Sequence, residues 1–555
     1  MMNRRKVMGI KVAKFGGSSV ADGIQLAKMR EIIEQDADRK YIIVSAPGKR
    51  FPSDTKVTDL LYLCMTQKEN NIPAGATVFT GTSQPGTTTR TAILNHTKGS
   101  GASVNWSSSD KIWVKDDAGT WQQSTAAIIP SSTNQSFAKF ALSGTFTGTS
   151  HDILYTNKGV AGSQAQVEIK AEQTQSAPNN FDHAGESGDC GVATGSRVGS
   201  GYNFTLNHKA AYLCFIPRSS NPYVNRSKLI KVEIMSDDDI AGTYDIAADG
   251  TLTLASGGSK TITVTTGSGF AIDNSTEDMS KNATYAVVAP GTHTFRIRYW
   301  LRNTVDNPSG TIEGTVSKYI TLNCTAGSIN DITANLAPRD YDGTKYYMWD
   351  AKKDCWYGYE SVQPSVILTT NPNYPKTATD IRWYNPTAGN ATNSSAICHN
   401  INELIWYTMK GDPHWDGTSL WSLKGHLHIG GMWLLKHSAI TGFSTEKYGT
   451  KDYRLETNGA NVRINNTNVT AGKPANTTNY FYTPATGYYD RTDGTYRGSG
   501  DNPLYVQGYV WSSTTSLDQN GSGSYSLAYY MAFGSGGIYT NFMWKSTGFP
   551  NSLDD

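Results

Sequence analysis

The chain has 555 residues, a formal net charge of +2 and charged side chains at 17% of its positions, against about 25% in an average soluble domain. This length allows roughly three or four domains, each with its own core. The near-neutral charge argues against a nucleic-acid partner, whose phosphates would favour a concentrated basic face. No run approaches the ~20 apolar residues that a membrane-spanning helix needs.

Residues 1–70 predict a single β-α-β unit. Two short apolar runs, Ile10–Ala13 and Tyr41–Val44, flank a helical pattern at 24–33. A crossover of this kind predicts two parallel strands. The loop Phe15–Ser19 contains two glycines that would let backbone N–H groups approach an anion at the start of the helix. Alternatively, the glycines serve only a tight turn.

The segments Lys14–Ser19, Val44–Lys49 and Asp54–Leu61 together resemble the N-terminus of aspartate kinases. In that family the glycine loop binds nucleotide phosphates and the aspartate substrate. The resemblance therefore implies these roles for Lys14, Gly16, Gly17, Ser18 and Ser45. It stops near residue 68, and the family's second glycine-rich segment is absent from the sequence. Because phosphoryl transfer depends on complete positioning of the phosphates, we expect no kinase activity, no catalytic residue and no cofactor.

From residue 72 the composition turns to Thr, Ser, Asn, Gly and Tyr, and short alternating runs recur between polar turns. The first set of runs extends from 76–80 to 145–147. A second set follows the glycine-rich stretch that ends at Gly201, and its clearest alternation is Thr294–Trp300. Short strands with regular turn signals predict β-sandwiches.

The order of these runs resembles the fimbrillin-like proteins of Bacteroides-type bacteria. The points of likeness are Thr89-Arg90-Thr91, a Val-x-Trp-x-x-x-Asp motif at 104–110 and the strand series at 205–336. Members of that family are tandem transthyretin-like β-sandwiches, displayed as adhesins or assembled into fimbriae. The resemblance implies sandwiches at 71–200 and 201–338 and a place at the bacterial cell surface or outer membrane. It also implies other fimbrial subunits as partners, joined by strand addition.

The N-terminus departs from that family. Lys11 and Lys14 interrupt its apolar segment, so the sequence as written has no recognisable signal peptide. Kinase-like sequence stands just before residue 76, where the family's signal peptide and lipid-carrying cysteine are expected. We therefore expect a fusion whose residues 1–70 are loosely attached. The six cysteines form no Cys-x-x-Cys pair, which leaves either buried thiols or one or two disulfides.

Beyond Asp340 lie nine of the thirteen tryptophans. The sequence predicts a helix from Asn400 to Met409 and two paired strands near 508–514 and 528–533. These motifs, with Asn402–Asp416, resemble the major paralogous domain of Fibrobacter and Bacteroides surface proteins. The resemblance implies a compact α+β, C-type-lectin-like recognition domain at 339–555. The Arg-Cys segment that usually ends domains of this family is missing from the sequence, so Cys398 is expected to lack its partner cysteine.

Aromatic side chains beside carboxylates can stack on sugar rings, although most tryptophans fill cores. Trp415 stands in the polar segment from Asp412 to Asp416, and we take these three as possible glycan contacts. Three histidines, His414, His426 and His428, lack a further ligand at characteristic spacing, so packing is the preferred interpretation and no metal is expected. Asp237–Asp239 lacks the spaced ligands of a calcium loop and predicts a solvated turn.

The sequence therefore predicts a mainly β protein: an amino-acid-kinase-type fragment, two β-sandwiches and a C-terminal recognition domain. Its preferred function is non-catalytic adhesion or fimbrial assembly, with a surface protein or a glycan as ligand. The alternatives are an aspartate kinase, judged incomplete, and a secreted carbohydrate-active enzyme whose carboxylates come together from distant strands.

Overall fold

The computed structural model describes residues 11–15, 23–35, 39–44, 72–82, 92–94, 96–99, 102–129, 136–305, 311–364, 371–387, 390–455, 462–497, 507–516 and 526–553. Within these ranges the chain forms 37 strands and four α-helices. The mainly β class predicted from the sequence is confirmed.

The N-terminal segment contains strand β1 (Lys11–Phe15), helix α1 (Gly23–Glu34) and strand β2 (Arg39–Val44). The two strands are parallel, as predicted, and among the described residues they pair only with each other. Leu26 and Ile32 of the helix are 45% and 43% exposed. Within the described part of the segment, the outer edges of both strands therefore have no pairing strand, and two apolar side chains of the helix are exposed.

The first β-rich unit opens with seven strands: β3 (Thr77–Thr82), β4 (Ala92–Leu94), β5 (Ser103–Asn105), β6 (Trp113–Lys115), β7 (Trp121–Gln123), β8 (Phe137–Leu142) and β9 (Ser150–Tyr155). The chain then supplies three strands and a short helix to the second unit: β10 (Gly159–Ala161), β11 (Gln164–Ile169), β12 (Glu172–Thr174) and α2 (Ala184–Ser187). It returns to the first unit with β13 (Gly191–Val198), β14 (Gly201–Thr205) and β15 (Asn207–His208).

The sheet of the first unit, in the order β7-β6-β9-β13-β14-β3-β8, curls around one aromatic core. Strands β9 and β8 are four positions apart and would be roughly 19 Å apart in a flat sheet. Yet the Trp106 ring lies 4.9 Å from Phe140 on β8 and 6.0 Å from Tyr155 on β9. Gly81 lies beneath this ring, where a Cβ atom would come within 2.9 Å of Trp106 and Phe204.

The second unit adds nine strands and a short helix: β16 (Ala211–Arg218), β17 (Lys228–Ser236), β18 (Ala241–Ile246), β19 (Leu252–Ser259), β20 (Thr261–Ala271), α3 (Met279–Asn282), β21 (Thr284–Val288), β22 (Gly291–Asn303), β23 (Ile312–Cys324) and β24 (Ile329–Asn335). One layer has the order β12-β20-β17-β22-β23, and the facing layer is β21-β16-β24. Phe215 on β16 and Tyr299 on β22 meet between them, with ring centroids 6.2 Å apart.

The two units interleave along the chain, which differs from the boundary expected at residue 200. That boundary falls inside the β13–β14 hairpin, where Val198 pairs with Gly201. Strands β11 and β12, expected in the first sandwich, pair with β18 and β20 of the second, and β10 pairs with β11. Alternation identifies a strand but not its partner, because the main-chain hydrogen bonds of a ladder are the same for any sequence.

The C-terminal region contains one longer helix and thirteen strands: β25 (Arg339–Asp340), β26 (Tyr346–Tyr347), α4 (Ile401–Lys410), β27 (His414–Leu423), β28 (His426–Leu435), β29 (Ile464–Asn466), β30 (Thr470–Ala471), β31 (Tyr480–Pro484), β32 (Tyr488–Tyr489), β33 (Tyr496–Arg497), β34 (Gln507–Thr515), β35 (Leu527–Gly534), β36 (Gly537–Trp544) and β37 (Phe549–Pro550). Helix α4 packs against the sheet β29-β36-β35-β34. The helix predicted at Asn400–Met409 is present, and Asn400 and Glu403 form a capping box at its first turn.

Most C-terminal tryptophans serve the core rather than the surface. Trp349, Trp356, Trp421 and Trp511 are fully buried. The Trp511 indole N–H donates to the Tyr347 carbonyl over 2.8 Å, and that of Trp421 donates to Gly430 over 2.9 Å. These bonds satisfy the polar end of each ring, as buried tryptophans generally require.

Candidate functional site

The three-stranded sheet β21-β16-β24 is buried on one face and covered on the other along β21 and the start of β16. One face meets the core of the second unit, and β16 is buried along almost its whole length. On the outer face, Phe181 contacts Tyr212 at 5.8 Å and stacks on Tyr285 at 4.9 Å between ring centroids. A further strand can therefore join this sheet at its edges.

The edge at β21 is closed by two buried glutamines, Gln173 in β12 and Gln175 just after it. The Gln173 side chain donates to the Val287 carbonyl over 2.8 Å and accepts from the Val287 N–H over 2.9 Å. Gln175 makes the equivalent bonds with the Ala283 carbonyl and the Tyr285 N–H, at 2.8 and 2.7 Å. Each side-chain amide thus takes the place of a peptide group in a neighbouring strand.

The opposite edge, at β24, lacks this protection. Tyr212 N–H donates to Ser328, and Leu336 N–H donates to Arg218, at the two ends of the parallel ladder. Even-numbered residues of β24 therefore bond to β16, and odd-numbered residues turn their main-chain groups outward. No described residue bonds to the outward main-chain groups of Thr333 and Asn335, and both residues are exposed.

Above the outer face, three side chains that bind metals well come together. Cys214 is the register partner of Asp331 on β24 and of Tyr285 on β21. His96 reaches this row from the segment after β4, and its Nε2 lies 2.8 Å from Asp331 Oδ1. Burial raises the pKa of Asp331, but hydrogen bonds from His96 and Gly99 outweigh it and leave that pKa below its usual value.

This group was missed by the sequence analysis, since His96 and Asp331 are 235 positions apart. No short-range spacing of residues in the sequence indicates that these three side chains meet. Among the described residues, Asp237, Asp238 and His293 form another such group. There, Asp237 and Asp238 are exposed, and Asp238 Oδ1 lies 2.6 Å from His293 Nδ1.

The predicted nucleotide loop lies mainly outside the described residues. Lys14 is described and is exposed near the end of β1. Gly16, Gly17, Ser18 and Ser45 fall outside the described ranges. Their phosphate-binding roles stay predictions that follow from the resemblance.

The predicted glycan contacts are placed differently from the expectation. Trp415 does not stand in a turn: it is the second residue of β27, half-buried against the cluster that includes Met432 and Leu434. Asp416 is buried, and its carboxylate accepts hydrogen bonds from Thr418 and Ser419, among them one of 2.6 Å from Ser419 Oγ. Although burial raises the pKa of Asp416, these bonds hold it below its usual value.

Asp412 is the exposed member of this trio. It has a left-handed backbone, with φ of 42°, and its carboxylate accepts a 2.5 Å hydrogen bond from the Tyr480 hydroxyl. His414 Nε2 lies 3.4 Å from the same carboxylate oxygen. A glycan contact by Asp412, Trp415 and Asp416 stays a prediction.

Two histidines considered as metal ligands lie on one hairpin strand. His428 is buried and stacks on Trp421 with ring centroids 4.5 Å apart. Burial lowers the pKa of His428 to about 3, with a smaller contribution from His426. His428 is therefore a neutral packing residue at physiological pH.

A buried lysine in the C-terminal region also went unrecognised in the sequence. Lys545 follows β36, and its ammonium donates to the carbonyl oxygens of Thr387 and Asn385 over 2.8 and 3.2 Å. It lies 4.1 Å above the Trp349 ring. Burial lowers the pKa of Lys545 to about 7, only partly opposed by Asp350.

Cavities open between elements in the described part of the chain. One, of about 450 Å³, lies in the C-terminal region beside Tyr347, Tyr509 and Asn551. Another, of about 790 Å³, lies between the first and second units beside Trp121, Asp152 and Asp245. A third, of about 370 Å³, lies beside Asn465, Gln507 and Tyr539. Their walls mix polar and apolar groups, and none of the three contains the predicted glycan contacts. Among the described residues, no helix is long and apolar enough to cross a membrane.

Comparison with known proteins separates the N-terminal segment from the remainder. No protein-family model matches the chain. Aspartokinase 3 of Bacillus subtilis (strain 168) is 57% identical over 58 residues, which are 10% of this chain and 13% of that protein. The predicted N-terminal resemblance is confirmed. The chain spans only about an eighth of the length of this curated relative.

Solved structures similar to the chain include proposed cell adhesion and fimbrial proteins of Bacteroides. A proposed cell adhesion protein from Bacteroides ovatus ATCC 8483 is 13% identical, with a TM-score of 0.29 over 47% of this chain and 93% of that one. A fimbrial protein from the same strain is 11% identical, with a TM-score of 0.24 over 85% and 98% of the two chains. Neither likeness assigns a role to a residue of this chain.

Proposed function

We propose that this chain is a non-catalytic cell-surface adhesin or fimbrial subunit that joins other subunits by strand addition at β24. The resemblance of the sequence to fimbrillin-like proteins motivates this function. The observation that carries it is the contrast between the two edges of the sheet β21-β16-β24. Two glutamines close one edge, and the outward groups of Thr333 and Asn335 have no partner among the described residues.

The β24 edge suits an incoming strand. It is seven residues long, and its outward residues near the C-terminal end are exposed rather than covered by a charged side chain. An unpaired edge is a template for pairing with another chain, and soluble proteins usually block such edges. Main-chain hydrogen bonds supply the affinity in strand addition, and side-chain pockets supply the specificity.

A proline at an outward position tests the assembly role. Thr333→Pro removes one outward N–H and places a ring on the edge, while the bonds from β24 to β16 remain. Proline is tolerated on edge strands, so the fold should survive. Thr333→Val keeps the N–H and is the matched control.

Assembly would be measured as high-molecular-weight material in the sheared surface fraction of the source cells, detected with an antibody to this chain. We expect Thr333→Pro to lose it and Thr333→Val to retain it. Circular dichroism of the purified variants checks their folding. Assembly of a folded Thr333→Pro variant at the wild-type level would refute strand addition at β24.

The C-terminal region, residues 339–555, is proposed as the recognition part, with a surface protein or a glycan as ligand. Asp412 supports a surface contact because its carboxylate is exposed next to the Tyr480 hydroxyl. An Asp412→Ala variant that bound a glycan panel and host cells as well as the wild type would remove Asp412 from this role.

Location at the outer membrane is the remaining part of the proposal. Peptide mapping of the outer-membrane fraction of the source cells tests it directly. Peptides from Thr91 onward at the surface would agree with it, and recovery of the chain only from the cytoplasm would contradict it. Peptides that span Lys68 to Arg90 would establish that the N-terminal fusion is present in the cell.

A further inference from the structure

We propose that His96, Cys214 and Asp331 bind a zinc ion that ties the segment after β4 to the sheet β21-β16-β24. One ligand atom from each residue lies within 4.8 Å of the others. Imidazole, thiolate and carboxylate are the three groups that hold Zn²⁺ in proteins, and three protein ligands with one water complete a tetrahedron. This site is independent of the proposed strand addition.

The sheet itself prepares two of the ligands. Cys214 and Asp331 are register partners on neighbouring parallel strands, so their side chains project from the same face. His96 comes from a different part of the chain, and its Nε2 is already 2.8 Å from Asp331 Oδ1. The main-chain N–H of Gly99 donates to the other carboxylate oxygen over 2.7 Å and orients it. Hydrogen bonds from neighbouring groups that orient a ligating carboxylate are typical of metal sites.

His96 is held inside the fold with one nitrogen facing the other two ligands. The residue is only 4% exposed, and its Nε2 is the atom that approaches Asp331 Oδ1. A side chain that the fold already orders loses little conformational entropy when it binds an ion.

The charges of the three ligands also suit a divalent ion. A thiolate and a carboxylate carry two negative charges, and a neutral imidazole adds none, so Zn²⁺ gives a neutral buried complex. Neutrality matters because an uncompensated charge is costly in a buried place. A thiol that becomes a zinc ligand gives up its proton to solvent as the S–Zn bond forms.

Zinc binding would crosslink two distant parts of the chain. His96 follows the β4 strand, whereas Cys214 and Asp331 lie at the centres of β16 and β24. An ion held by all three would close a loop of more than one hundred residues and fasten the segment that covers the outer face of the sheet. Crosslinks that close long loops are expected to stabilise the folded state most.

The test measures zinc on the full chain. The purified protein is stripped with a chelator, incubated with Zn²⁺, desalted and analysed by inductively coupled plasma mass spectrometry. We expect one zinc ion per chain in the wild type and at least about a tenfold loss of affinity in Cys214→Ser. Cys355→Ser is the matched control, because Cys355 is also a buried free thiol but lies in the C-terminal region. It should bind zinc as the wild type does.

A second probe covers the case in which Cys214→Ser does not fold. Cobalt(II) bound to a thiolate gives a charge-transfer absorption band in the near ultraviolet. The band should appear in the wild type and in Cys355→Ser, and it should weaken in His96→Gln, whose change lies outside the strands. Absence of zinc and of the cobalt band in the wild type would overturn the proposal, as would equal binding by the wild type and a folded His96→Gln variant.

Discussion

Single buried polar residues decide much of the local behaviour of this protein. Gln173 and Gln175 replace main-chain partners at the β21 edge. Lys545 donates hydrogen bonds to two carbonyl oxygens next to Trp349. A buried hydrogen bond adds little to the unfolding free energy while both partners are present. Removing one partner leaves the other buried without a hydrogen bond, and this lowers the unfolding free energy more. Their effects are therefore best measured by single substitutions.

Removal of the Gln173 side chain should destabilise the second unit. Gln173→Ala leaves the Val287 N–H and C=O buried without partners, which we expect to lower the unfolding free energy by about 3 kcal/mol. Urea denaturation measures the change. Gln164→Ala is the control, since Gln164 is exposed, and its effect should stay within about 0.5 kcal/mol. Equal stabilities of the two variants would contradict the edge-capping role.

Lys545 should make stability depend on pH in a predictable direction. Its pKa is about 7 in the folded chain against an ordinary value of 10.5, so the unfolded chain binds more protons between those values. The unfolding free energy of the wild type should therefore rise relative to Lys545→Met as the pH increases from 7 towards 10. Denaturation of both proteins across this range tests it. Lys111→Met, at an exposed position, should show no such trend.

At the scale of elements, neighbouring strands of one sheet differ in what covers them. Strand β16 is buried on both faces, β21 is capped along its edge, and β24 keeps an open edge. Strand β27 shows the same principle within the C-terminal region. It begins at His414, so Trp415 lies inside the strand and on a packed face rather than in a polar turn.

The position of Trp415 in β27 predicts a cost in stability. Since the side chain is half-buried against a hydrophobic cluster, Trp415→Ala should lower the unfolding free energy by about 2 kcal/mol. Trp544→Ala, at a position 36% exposed, is the matched control and should change it less. Glycan binding by a folded Trp415→Ala variant at the wild-type level would remove Trp415 from the predicted contact.

At the scale of the whole molecule, an N-terminal segment of kinase type precedes three β-rich units. The first two units interleave along the chain, and β23 meets β27 of the C-terminal region at the pair Thr315 and Ser419. By contrast, β1 and β2 pair only with each other among the described residues. The β-rich units therefore form a connected body to which the N-terminal strands add no ladder.

Deletion of residues 1–70 should leave the main thermal transition within about 2 °C of the full chain. The reason is that β1 and β2 share no ladder with the other described strands, and Leu26 and Ile32 remain exposed. Differential scanning calorimetry of the two proteins measures the difference. A clearly lower transition in the shortened protein would show that the segment supports the remainder.

The same segment should not catalyse phosphoryl transfer. It corresponds to 13% of aspartokinase 3, and phosphoryl transfer requires the full set of groups that position and neutralise the phosphates. ATP turnover by the purified chain should therefore not depend on L-aspartate. A Lys14→Ala variant provides the baseline, and aspartate-dependent turnover above it would contradict the prediction.

The sequence by itself determined the features that depend on near neighbours. Alternation at Thr294–Trp300 identified β22, the local pattern that begins at Asn400 located the start of α4, and the N-terminal motifs identified the kinase-like segment. Only the tertiary structure decided the strand partners, the burial of Trp415 and the meeting of His96 with Asp331 across 235 positions. The reason is physical: helix caps and alternation arise within a few residues, whereas ladder partners and burial depend on strands that are distant along the chain.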